Sequence, residues 1–121
     1  MNAERHKTFI NLENLVSISR GDSDRMLKYL KQFQELIPER LEQLKDALAE
    51  NDRKQTRQIL HKMSPQLQFF GIQDVAFPIQ RLEMEYETMP LFELNVLVDD
   101  IINKLEGAIS EVTKTIKTGF E

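Results

Sequence analysis

Apolar residues recur along this chain at spacings of three and four, the pattern of helices that bury one face. One series covers residues 26–48 and comprises Met26, Leu30, Phe33, Ile37, Leu41, Leu44 and Leu48. Another covers residues 94–116 and comprises Leu94, Val98, Ile101, Leu105, Ala108, Val112 and Ile116. Apolar and polar residues do not alternate over any useful length, as they would in a half-buried strand. The pattern predicts an all-α protein.

Capping residues and helix breakers divide the pattern into five predicted helices. The first carries Leu12, Leu15 and Ile18 between an Asn11 cap and Arg20-Gly21. The second runs from an Asp22 or Ser23 cap to about Glu50, and the third runs from about Arg53 to Phe70, after an Asn51-Asp52 turn. The fourth carries Val75, Ile79, Leu82 and Tyr86. The fifth follows the break at Thr88-Met-Pro90, with Thr88 as its cap, and ends near Thr118-Gly119.

Long helices joined by short connections favour antiparallel neighbours. We therefore expect an antiparallel up-down four-helix bundle of helices two to five, with the short first helix capping it. Pro38 should bend the second helix without ending it, and Pro78 is tolerable only in the first turn of the fourth. The 121 residues are expected to form one domain, 1–121, with its core at about 12–118 and a loosely held segment at 1–10.

Composition narrows the function classes. The chain has no cysteine, which excludes disulfides, thiolate catalysis and cysteine-based metal sites. No apolar run approaches the roughly 20 residues of a membrane helix, and the first residues lack the apolar core of a signal peptide. A net charge of −4 argues against nucleic acid as a partner. We expect a cytoplasmic protein that binds neither membranes nor nucleic acid.

The motifs of most enzymes are missing. The chain has no glycine-rich phosphate loop, no His-Glu-x-x-His pair and no serine in a nucleophile elbow. Of its two histidines, His6 lies in the polar N-terminal segment, where a solvated bystander is expected. Three residues before His61 stands Gln58 rather than the glutamate of a di-iron site. No metal and no cofactor are therefore expected. The methionines Met26, Met63, Met84 and Met89 are interpreted as core fillers.

His61 is the residue that demands an explanation. The buried stripe of its helix is Leu60, Met63, Leu67 and Phe70, and His61 points nearly opposite to the centre of that stripe. The same outward arc holds Lys54, Arg57, Gln58, Ser64, Pro65 and Gln68. A neutral imidazole nitrogen is a nucleophile at physiological pH, and the cations, with Lys62 adjacent, favour an incoming phosphoryl group. A plain surface histidine is the alternative. Phe69, at the edge of the stripe, is either partly covered core or part of a docking surface.

These residues resemble the histidine-containing phosphotransfer (HPt) domains of two-component phosphorelays. That family has Ala-His-x-Leu-Lys-Gly-Ser and a glycine ten residues after the histidine. Here the corresponding residues are Leu60-His61-Lys62-Met63-Ser64-Pro65-Gln66 and Gly71. The run from Phe33 through Pro38 to Asp52 resembles the family's second helix and turn, and Leu82-Glu83 resembles a Leu-Glu pair of its fourth. The similarity spans about residues 12–115.

The resemblance implies a phosphocarrier rather than an enzyme. His61 would accept a phosphoryl group from the phospho-aspartate of a receiver domain, which supplies the Mg²⁺, and pass it to another receiver. Glu83 would hold the other ring nitrogen, although a solvated carboxylate is an equal alternative. Lys54, Arg57, Gln58, Gln68 and Phe69 would contact the partner. The expected partners are response-regulator receivers or a hybrid histidine kinase, with the HPt chain itself a monomer.

Two positions depart from the family. Ser64 replaces a lysine that would contact phosphate, so that Lys62 would have to compensate, and Pro65 replaces a glycine. Pro65 cannot donate a hydrogen bond to the carbonyl of His61, which predicts a local bend there. Two other functions stay open. One is a helical adaptor that binds a receiver or kinase without being phosphorylated; the other, ranked last, is the dimerisation and phosphotransfer domain of a histidine kinase.

Overall fold

The structure is a computed structural model that describes residues 9–119, without the side chain of Gln73. Over this range the chain forms five α-helices and no strand. They are α1 (Glu13–Ser19), α2 (Ser23–Ala49), α3 (Arg53–Phe69), α4 (Ala76–Glu85) and α5 (Leu91–Thr118), and a 3₁₀ turn (Gln73–Val75) leads into α4. The all-α prediction is confirmed.

Side-chain caps start both α3, which carries His61, and α2, which precedes it. A carboxylate oxygen of Asp22 accepts hydrogen bonds from the backbone N–H groups of Asp24 and Arg25, at 3.0 and 3.3 Å. Asp52 caps α3 in the same way by accepting from the N–H of Gln55 at 3.0 Å. Each cap satisfies N–H groups that have no partner within their own helix. The sequence prediction of these two starts is confirmed.

The start of α5 differs from the prediction. Thr88 does not cap it, because its backbone N–H donates to the carbonyl of Glu85 in the turn that ends α4. Pro90 takes the cap position instead, with no side-chain cap, and its carbonyl accepts from the N–H of Leu94 at 2.9 Å. Pro78 lies in the first turn of α4, where its missing N–H would have no partner within the helix anyway.

The core lies where these helices meet. Helix α2 packs against α1, α3 and α5, and α4 packs against α3 and α5. At its centre the rings of Phe33 and Phe70 lie 4.4 Å apart between centroids. The long apolar series are buried, except that Leu48 and Ile116 at their ends are only half-buried. At the end of α2, Ala47 is buried beside the half-buried Leu48.

Three expectations about the core and the N-terminus need correction. Met84 is 80% exposed, whereas Met26, Met63 and Met89 are buried, because Met84 lies on the outer face of α4, away from Ile79 and Leu82. Ile18 is 49% exposed, because the seven-residue α1 buries only Leu15 and Ser19. The predicted loose segment lies outside the described residues at positions 1–8, which include His6. The last two residues of that segment, Phe9 and Ile10, are anchored, because their N–H groups donate to the carboxylate of Glu111.

Gly71 ends α3 in a left-handed conformation, with φ of 65°. Its N–H donates to the carbonyl of Gln68, and the N–H of Ile72 donates to that of Leu67, which is the Schellman pattern of helix termination. A Cβ at this position would lie 2.7 Å from Cβ and 2.8 Å from the carbonyl oxygen of Asn11. The close approach of the segment before α1 therefore requires glycine here.

Replacing Gly71 with alanine is expected to lower the free energy of unfolding by about 2–4 kcal/mol, from left-handed strain and the clash with Asn11. Gly21→Ala is the matched control, since Gly21 has φ of 75° but open space around its Cβ. Gly21→Ala should lower the free energy of unfolding by only about 1–2 kcal/mol, from backbone strain alone. Urea denaturation measures both, and equal losses would contradict the proposed clash.

Candidate functional site

His61 stands near the middle of α3 with 63% of its side chain exposed. The residues on the opposite side of the same turns, Leu60 and Met63, are 0% and 1% exposed. The buried stripe fixes the rotation of the helix about its axis, and that rotation presents the imidazole to solvent. The outward position predicted from the sequence is therefore the one found.

Glu83 of α4 reaches this ring. Its Oε2 atom lies 3.0 Å from Nδ1 of His61, a hydrogen-bond distance. An ionised carboxylate can only accept, so a neutral ring that makes this hydrogen bond carries its proton on Nδ1. Nε2 then keeps its lone pair. Among the side chains that the structure describes, Glu83 is the one hydrogen-bond partner of the ring.

The cations near His61 occupy different surroundings. Lys54 and Lys62 are exposed, whereas Arg57 is half-buried, with its guanidinium carbon 5.4 Å from the centroid of the ring of Tyr86, the residue that follows α4. Its Nε is buried and has no hydrogen-bond partner among the described residues. Arg57, one turn before His61, is thus held between α3 and α4, while the two lysines are free to move toward an anion in solvent.

A groove of about 240 Å³ runs beside the histidine, between the second half of α3 and the start of α4. The buried side chains of Leu67 and Ile79 contribute to its lining, and so do Ser64 and Glu83, the hydrogen-bond partner of His61. The full lining is Ser64, Leu67, Gln68, Ile72, Val75, Ala76, Ile79, Gln80 and Glu83. Sequence reasoning missed this groove, because it depends on how the 3₁₀ turn sets α4 against α3.

The remaining predicted residues are placed as follows. Pro65 and Gln68 are exposed, and Gln58 is half-buried. Helix α3 continues through Pro65 to Phe69, and the local bend beside His61 stays a prediction. The ring of Phe69 packs edge-on against Tyr29 of α2, with centroids 5.1 Å apart, as expected for a partly covered core residue.

Comparison with known proteins identifies the family. A family model of the Hpt domain matches residues 28–113, which is most of the chain and includes both His61 and Glu83. The chain belongs to the Hpt domain family. Hpt domains act in histidine phosphotransfer in two-component systems, as phosphocarriers rather than enzymes, and they interact with receiver domains and kinases. Neither the curated proteins nor the solved structures compared with the chain gave a match.

The Hpt match confirms the family suggested by the residues around His61. It supplies a class of reaction, and the geometry of this Hpt domain supplies a candidate for the reacting atom. Among residues 9–119, no group of three or more His, Asp or Glu side chains is placed to hold a metal ion. Nor is any helix in that range long and apolar enough to cross a bilayer.

Proposed function

We propose that this Hpt domain accepts a phosphoryl group on His61 from the phospho-aspartate of one receiver domain and passes it to another. The observation that carries the proposal is an exposed imidazole whose Nδ1 is hydrogen-bonded to Glu83, which leaves the lone pair on Nε2. The partners are response-regulator receivers or a hybrid histidine kinase. The carrier works as a monomer in the cytoplasm.

In the proposed step, Nε2 of His61 attacks the phosphorus atom of the phospho-aspartate. The N–P bond forms as the bond from phosphorus to the aspartate oxygen breaks, and the aspartate leaves as a carboxylate. The proton stays on Nδ1, so the phosphorylated ring carries a positive charge that the carboxylate of Glu83 stabilises. The receiver contributes Mg²⁺ and the acid–base groups. The Hpt domain contributes a positioned nucleophile.

The residues around His61 have two proposed roles, binding the phosphoryl group and docking the receiver. Lys54, Arg57 and Lys62 attract the phosphoryl oxygens, and the exposed Lys62 takes the place of the lysine that Ser64 replaces. Gln58, Pro65, Gln68 and Phe69 complete the surface on which the receiver docks. Pro65 lacks an N–H, and its ring bends α3 locally beside the histidine.

We also propose that α2 to α5 form an antiparallel up-down four-helix bundle with α1 as its cap. Bonds between α2 and α5 support this arrangement. Gln34 donates to Thr113, whereas Lys45, further along α2, donates to Glu106, which comes earlier in α5. Between α3 and α4 the order is likewise reversed, since His61 contacts Glu83 and Arg57 contacts Tyr86.

Incubation with a receiver domain phosphorylated in the presence of Mg²⁺ tests the function. The chain, once separated from the receiver, is expected to carry phosphate that acid releases and alkali does not, and a second receiver should discharge it. A chain that binds the receiver but stays unphosphorylated would instead be an adaptor. The adaptor alternative would be established if His61→Ala bound the receiver as well as the native chain does and neither the native chain nor the variant carried phosphate.

Glu83→Ala is expected to slow phosphoryl acceptance about three- to tenfold, because a hydrogen bond contributing about 0.5–1.5 kcal/mol is lost from an exposed ring. Glu83→Gln keeps a carbonyl oxygen that accepts from Nδ1 and should stay within about twofold to threefold of the native rate. Rapid-quench measurement of the phosphorylated chain gives both rates. A native rate in Glu83→Ala would contradict the role of Glu83.

A further inference from the structure

The outer face of α4 is apolar and uncovered. Phe77 is 73% exposed and Met84 is 80% exposed, and their spacing of seven places them on one side of the helix. Arg81 lies between them, and together with Gln80 and Glu85 these side chains line a shallow depression of about 320 Å³. The phosphotransfer proposal uses none of these residues.

Helix α5 continues this surface. Phe92 and Val96 are 80% and 54% exposed and lie one turn apart. Arg81 bridges the two helices, because its guanidinium is hydrogen-bonded and ion-paired with Glu93. Phe77 and Met84 lie within four positions of Arg81, and Phe92 and Val96 lie within three positions of Glu93. Four positions correspond to about 6 Å along a helix. We call this surface, made of Phe77, Met84, Phe92 and Val96, the α4–α5 face.

The α4–α5 face is comparable in area to the largest apolar patch on a typical monomeric protein, about 300–600 Å², and such patches are often functional. A phenylalanine buries about 200 Å² when it is fully covered, so the two exposed rings alone present about 300 Å². Monomeric soluble proteins rarely expose apolar patches of more than a few hundred square ångströms unless the patch binds something. Met84 and Val96 enlarge it further. The face therefore has the character of a docking surface.

Acidic residues at the end of α4, in the turn that follows it and along α5 determine which partner fits the face. They are Glu85, Glu87, Glu93, Asp99 and Asp100. Arg81 pairs with Glu85 and Glu93, and Lys104 pairs with Asp100 at 2.9 Å, so these two cations offset part of the negative charge and leave Glu87 and Asp99 without an ion pair among the described residues. The hydrogen bond and charge of Glu93 also raise the pKa of the Arg81 guanidinium. An anionic membrane, a nucleic acid or a second copy of the same face would bring negative charge against negative charge.

We propose that the α4–α5 face binds a basic amphipathic helix of another protein. Such a helix would place apolar residues at i, i+3, i+4 and i+7 between the rings of Phe77 and Phe92 and direct lysine or arginine side chains to the acidic rim. The site is distinct from the surface around His61, which carries Lys54, Arg57 and Lys62. A partner held there tethers the carrier and leaves the histidine open.

Fluorescence anisotropy tests the proposal with a labelled helical peptide of about five turns, made of leucine on one face and lysine on the other. The full chain is expected to bind it, and to bind a peptide with the same composition but scattered leucines at least tenfold more weakly. The triple variant Phe77→Ser, Met84→Ser, Phe92→Ser should weaken binding at least tenfold. Val16→Ser with Ile18→Ser, which alters exposed apolar residues of α1, should not.

A second, purely surface variant keeps the test decisive if the triple variant folds poorly. Glu87→Lys with Asp99→Lys should weaken peptide binding at least threefold, whereas His61→Gln should leave it unchanged. Equal affinity for the scattered peptide, or equal loss in the α1 variant, would overturn the proposal. So would dimerisation that the triple variant abolishes, binding to phosphatidylglycerol vesicles, or slower phosphotransfer from a receiver in the surface variant. The last result would assign the face to the receiver.

Discussion

Replacing His61 with glutamine is expected to lower the rate of phosphoryl acceptance by about a thousandfold or more, the scale on which removal of a covalent nucleophile acts. The glutamine amide has no nucleophilic lone pair, yet it is polar and suits an exposed helical position. The fold should therefore be unchanged. Phosphate on the chain, counted after incubation with a phosphorylated receiver and Mg²⁺, measures the effect.

The chain offers its own control for this experiment. His6 is the only other histidine in the sequence, so His6→Gln changes the same residue type. It should accept phosphate at the native rate. Label that persists in His61→Gln, or that disappears in His6→Gln, would contradict the assignment of His61.

Phe70→Ala is expected to lower the free energy of unfolding by about 3–5 kcal/mol. The ring of Phe70 is fully buried and packs at a tilt of 39° against Phe33, with 4.4 Å between centroids, so truncation leaves a cavity between α2 and the end of α3. A domain of this size has only about 5–15 kcal/mol of stability, so the variant would lose a substantial part of it. Urea denaturation measures the change.

Phe92→Ala is the matched control for stability, because the same side chain is 80% exposed there. Its free energy of unfolding should change by less than about 0.5 kcal/mol. A loss of less than about 1 kcal/mol in Phe70→Ala would mean that the packing between Phe33 and Phe70 is not what holds α3 against α2. The position of His61 would then need another explanation.

The buried stripes could be predicted because burial itself imposes the spacing. A residue such as Leu60 or Phe70 has to face the other helices, and this leaves His61 facing outward. Caps were predictable where a side chain makes the first bond, as at Asp22 and Asp52. Helix α5 has Pro90 at its cap position and no side-chain cap. The expectation of a side-chain cap at Thr88 was therefore wrong.

Contacts between helices were not predictable from spacing. The approach of Glu83 to His61 came from the family resemblance alone, because periodicity places a residue on a face but not beside a partner 22 positions away. The exposure of Met84 was missed because an apolar residue normally indicates core. Only the packing of α4 against α3 and α5 shows that its outer face is uncovered. The groove beside Ser64 depends on the same packing.

The central claim is that His61 carries phosphate on Nε2 while Nδ1 keeps its proton and its bond to Glu83. Long-range ¹H–¹⁵N NMR correlations of the ring, in protein labelled with ¹⁵N at histidine, test it most directly. Before phosphorylation the spectrum should show the Nδ1–H tautomer of His61, and afterwards the phosphorus coupled to Nε2. Phosphate on Nδ1, or a His61 ring unchanged after incubation with the phosphorylated receiver, would contradict the claim.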